Sequence, residues 1–61
     1  MPKIRKLQAV RLLVKAFKLR HKDPTNATQV YQWIVSYLCK NFPNDSERLI
    51  DLARRIGYSS G

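Results

Sequence analysis

Sixty-one residues bound the chain to one small domain with a modest buried fraction and a narrow stability margin. An apolar share of 44%, six aromatics, two Gly and three Pro argue against a disordered chain. The single Cys39 excludes an internal disulfide; read as a small hydrophobe near a helix core it fits a reducing cytoplasm, and it also fits an intermolecular bridge.

In chain order, Ile4, Leu7, Val10, Leu13, Val14 and Phe17 recur with helical spacing and predict a first helix over about residues 4 to 20. Arg11, Lys15 and Lys18 interrupt its apolar run, so the segment reads neither as a signal sequence nor as a membrane span. Asp23 and Pro24 end it. In "PTNATQ", Thr25 or Asn26 suits the start of a second helix, and Asn26 with Gln29 resembles a capping box.

The second helix, about 26 to 42, projects Ala27, Val30, Tyr31, Ile34, Leu38 and Phe42 to one side and Gln29, Gln32, Ser36 and Lys40 to the other. Pro43 stops it, because proline lacks the amide hydrogen and biases the preceding residue away from helical geometry. "PNDSE" then offers Asn44 or Asp45 as a cap and places Glu47 near the positive helix start. The third helix, about 45 to 56, is expected to bury Leu49, Leu52, Ala53 and Ile56, with Gly57 as a left-handed terminator and a frayed Ser-Ser-Gly tail. With no alternating strand pattern, the expected fold is all-α: a small three-helix domain, as a monomer or a homodimer.

The closing "LIDLARRIGYSSG" resembles the first helix and turn of the helix-turn-helix of AraC-type regulators, in which a short apolar helix ends in Gly-Tyr-Ser. That resemblance implies a DNA-binding unit whose recognition helix would follow, and the chain stops at Gly61 before one. Alternatively, helix 2, the "FPND" connection and helix 3 have the short turn that such a motif requires.

The inventory for catalysis is poor. One His, one Cys and four scattered acids give few routes to a nucleophile, base and orienting group, so no enzyme activity is expected. No Cys or His cluster and no glycine-rich phosphate loop occur, so neither a metal nor a cofactor is expected. His21, at the end of the basic helix, suits a favourable terminal charge or a phosphate contact.

The charge is distributed unevenly. The net charge is +8: residues 1 to 22 hold eight Lys and Arg with no acid, while residues 23 to 61 hold four of each sign and sum to zero. At about 100 degrees per residue, Arg11, Lys15, Lys18 and Lys22 form one stripe. Like charges at this spacing cost roughly 0.2–0.5 kcal/mol per pair, so folding alone does not select them. The helix dipole compensates Lys18, Arg20 and Lys22 near the last turn but not Arg11 or Lys15.

The leading expectation is a cytoplasmic nucleic-acid-binding regulator or accessory factor that acts through phosphates. Its contacts would be Arg11, Lys15, Lys18, Arg20 and Lys22, a flexible arm of Lys3, Arg5 and Lys6, and Arg54 as the freest cation of helix 3. Trp33, Tyr37 and Lys40 lie together at the edge of helix 2 and suit the core boundary, a stacking platform or a partner anchor. A first alternative is an inhibitor or adaptor docking on an acidic protein surface, because Leu12, Val14, Ala16 and Leu19 widen the apolar arc of helix 1. A cationic membrane-surface peptide ranks last, since capped helices 2 and 3 suit a soluble fold.

Overall fold

The structure is a computed structural model that describes residues 4–59, and among these it contains three helices and no strand. α1 spans Lys6–Leu19, α2 spans Pro24–Asn41 and α3 spans Ser46–Ser59. Lys6, at the start of α1, pairs with Asp45 just before α3, while Phe17 near the end of α1 lies on Gly57 near the end of α3. These two helices therefore run parallel. α2 runs antiparallel to α1, since Tyr37 near its end meets Ile4 before α1. The resulting bundle measures 29 × 23 × 14 Å.

Helix α1 is the spine, and both other helices pack mainly on it. Ala9, Val10, Leu13, Phe17, Ile34, Leu38 and Ala53 make the core, in which Leu13, Ile34 and Leu38 are wholly buried. Each of those three is worth about 1.5–3 kcal/mol of burial. The broad apolar arc of α1, expected to leave a surface for a partner, is largely taken up by two neighbours. Leu12, Val14 and Leu19 are partly buried and Ala16 is buried.

The helix termini differ from the sequence expectation. Asp23, expected to close α1, is instead the N-cap of α2, where its carboxylate accepts from the Asn26 N–H at 3.2 Å. Pro24 occupies the first turn, where its missing N–H costs nothing. Neither Thr25 nor Asn26 is the cap. Lys22 lies beyond the last residue of α1, in a turn where its N–H donates to the Leu19 carbonyl at 3.0 Å. Cys39, expected near the core, is exposed on α2.

The largest departure is the roll of α3. Ser46, Ala53 and Gly57 are buried, with Leu49 and Ile50 partly buried, whereas Leu52 and Ile56 remain 46% and 41% exposed. Small residues allow α3 to approach α1 closely, and the larger pair turns outward. Gly57 is not a terminator, because no glycine among the described residues has positive φ and α3 continues to Ser59. The Gly-Tyr-Ser that resembled an AraC-type turn is therefore helical through Ser59. Leu7, expected in the core, is 62% exposed. No helix among the described residues is long and apolar enough to cross a membrane.

Candidate nucleic-acid interface

The side of α1 opposite the core carries Arg11, Lys15 and Lys18, all exposed, and exposed Lys22 follows in the turn. Arg11 and Lys18 are seven residues apart, a rise of roughly 10 Å along the helix. Among the described residues, none of these four cations forms an ion pair with a carboxylate. Asp45 and Asp51 take other partners. Lys6 Nζ and Arg48 Nη2 each lie 2.7 Å from Asp45, while Arg54 and Arg55 lie 3.5 Å and 3.7 Å from Asp51.

Asp45 is the electrostatic knot of the corner where α1, α2 and α3 meet. The hydrogen bond from the Lys6 ammonium, with its charge, holds the Asp45 carboxyl below its ordinary range; Arg48 adds to this and partial burial opposes it. Lys6 also sits 5.4 Å from the centre of the Phe42 ring. It is the first residue of α1, so the structure places it in a tertiary tether and not in a flexible arm. Arg5 is exposed just ahead of the helix, and its backbone N–H donates to Gln8 Oε1 at 2.9 Å. Lys3 lies outside the described residues.

Two further cations have structural engagements that sequence did not foresee. Arg20 donates to the Phe17 carbonyl, and its guanidinium lies 4.3 Å from the centre of the Tyr58 ring. Arg54, expected to be the freest cation of α3, faces Asp51 and lies 5.9 Å from the Phe17 ring centre. Arg48 pairs with Asp45 and not with Asp51, because the turn before α3 brings Asp45 within reach.

Trp33, Tyr37 and Lys40 do line one shallow groove, of about 330 Å³, together with Ser36 and Asn41. The Tyr37 hydroxyl is committed to the fold. It accepts from the Ile4 N–H and donates to the Ile4 carbonyl, both at 3.1 Å. His21 is exposed in the turn after α1.

Sequence reasoning missed a second groove, between the end of α1, the start of α2 and the end of α3. Phe17 meets Tyr31 and Tyr58 edge-to-face, with ring centres 5.5 Å and 5.6 Å apart. Arg20 and Arg54 line the same groove. No local signal joins residues so far apart in the chain, and Tyr58 lies past the expected end of helix 3.

No family model matches this chain, and no curated protein or solved structure shows significant similarity to it.

Proposed function

We propose that this protein is a small nucleic-acid-binding factor that grips the phosphate backbone with the outer face of α1. The observation that carries the reading is the set Arg11, Lys15, Lys18 and Lys22, exposed and without carboxylate partners among the described residues. Asp45 and Asp51 pair with other cations, which leaves the charges of the stripe available to an anion. A polyanion recovers the like-charge repulsion within the stripe and gains the entropy of released counterions.

The test is direct binding of the full chain to DNA and RNA as salt is varied. With about five phosphates neutralised on duplex DNA, log affinity should fall against log salt with a slope of about −4.5. No binding to either nucleic acid at low salt would sink the proposal.

A second reading, an interaction module for an acidic protein surface, is favoured by the outward-facing Leu52 and Ile56. Exchange of both for Ser separates the two readings. Phosphate binding would survive it, whereas docking through an apolar contact would not.

A further inference from the structure

The groove at the far end of the bundle has a composition that packing alone does not require. It has a volume of about 310 Å³ and is walled by Phe17, Tyr31 and Tyr58, with Arg20, Arg54 and Thr28 at its edge. Two guanidiniums therefore converge on one aromatic hollow. Tyr58 is 52% exposed, and Arg20 is held against its ring by the bond to the Phe17 carbonyl. Arg54 is loosely restrained, with its side chain 44% exposed and a 3.5 Å contact to Asp51.

We propose that this groove accepts one unstacked nucleotide, with the base on the Arg20–Tyr58 pair and the phosphate against Arg54. The inference rests on the nucleic-acid reading, and it adds a base-binding element that the phosphate stripe lacks. A guanidinium lying on a tyrosine ring presents a flat cationic surface, which suits the face of any base. Its orientation is set before the ligand arrives, so little rotamer freedom remains to be lost on binding. Arg54 can exchange its long contact to Asp51 for a phosphate oxygen, which takes guanidinium in a two-bond geometry.

Arg20 is two residues beyond Lys18 and so about 200 degrees round the helix from it, which sets the groove on the other side of α1 from the stripe, where a strand reaches it by crossing the end of the helix. Only a flexible single strand can turn a base out of its stack at low cost, and a closed duplex cannot. The same chemistry is present in a free nucleoside monophosphate, and the two sources are separable by experiment.

The test titrates the full chain with a short single strand, with a duplex of equal length, and with adenosine monophosphate against inorganic phosphate. Tyrosine ring resonances report the groove, and affinities are read at one salt concentration. The expected result is preference for the single strand, with Tyr31 and Tyr58 signals shifted. Tyr58→Ala should weaken single-strand binding roughly tenfold to a hundredfold, Tyr58→Phe should retain it, and duplex affinity should not change.

Arg54→Gln serves as a second variant that leaves the aromatic packing in place, and thermal melting accompanies each. It should weaken single-strand binding and leave the fold intact. Saturable ring shifts with adenosine monophosphate but not with phosphate would assign the groove to free nucleotides as well. Equal effects of Tyr58→Ala on single strand and duplex, or no ring shifts with any of these ligands, would overturn the groove while leaving the stripe untouched. Failure of the wild-type chain to bind any nucleic acid would instead remove the stripe reading. Ring shifts with adenosine monophosphate alone would then still support the groove.

Discussion

Gly57 of α3 lies directly against Phe17 of α1: a Cβ at Gly57 would come within 2.5 Å of the Phe17 Cβ and 3.3 Å of its Cγ. The glycine is helical with no positive φ, so it is required for proximity and not for backbone freedom. In a helix interior, Gly→Ala ordinarily gains about 0.8–1.0 kcal/mol. Here the incoming methyl meets the base of a side chain that cannot swing away, and overpacking of this kind costs about 1–3 kcal/mol. The balance leaves Gly57→Ala destabilising by up to about 2 kcal/mol, lowering Tm by roughly 4–8 °C per kcal/mol in a domain of this size. A variant that melts above the parent would show that α1 and α3 are not packed at this point.

The stripe separates binding from folding. Lys15→Glu with Lys18→Glu exchanges two exposed cations for acids and lowers the net charge of +8 by four units. Relief of like-charge repulsion is worth roughly 0.2–0.5 kcal/mol per pair. A carboxylate in the last turn of α1 costs about 0.3–1 kcal/mol against the helix dipole, so the melting curve should barely move. Nucleic-acid affinity should fall at least tenfold, and the salt slope should shrink by about 1.8 as two phosphate contacts are lost. Unchanged affinity in a folded double mutant would reduce the stripe to a solvated surface.

Lys6 and Asp45 make the corner sensitive to acid. The folded Asp45 carboxyl titrates below its ordinary value, so the stability it contributes is complete above the unfolded value of about 3.9. That contribution is lost as pH falls through the depressed folded value. Lys6→Gln should move the Asp45 titration upward toward the ordinary range, with Arg48 keeping part of the depression. Carbon NMR of the side-chain carboxyl reads this directly, and an unmoved titration would mean that Lys6 is not its dominant partner.

Tyr37 anchors the segment ahead of α1 through both hydrogen bonds to the Ile4 backbone. Tyr37→Phe keeps the ring and removes the hydroxyl, which should cost about 1–2 kcal/mol for two partly buried hydrogen bonds. Hydrogen exchange at the Ile4 amide should accelerate well beyond the change in global stability. Continued protection of that amide would assign its partner elsewhere.

Helical periodicity, Pro24 and Pro43 made the all-α class and three helices legible in the sequence, because these are local properties of short segments. The outward position of Arg11, Lys15 and Lys18 was legible for the same reason: residues opposite an apolar arc face solvent. The proposed role of that face is still carried by charge placement, which sequence already displays. Tertiary structure decided how each arc is used. Periodicity offered Leu49, Leu52, Ala53 and Ile56 as the buried side of α3, but close approach through Gly57 rolled Leu52 and Ile56 outward. It also decided which polar groups are committed. Lys6 meets Asp45 39 residues away, and Tyr37 meets Ile4 33 residues away. Arg20 and Arg54 converge on aromatics from three helices. A local pattern specifies which side of a helix is apolar, but the pairing of side chains depends on register and separation between helices, and these arise only when the helices pack.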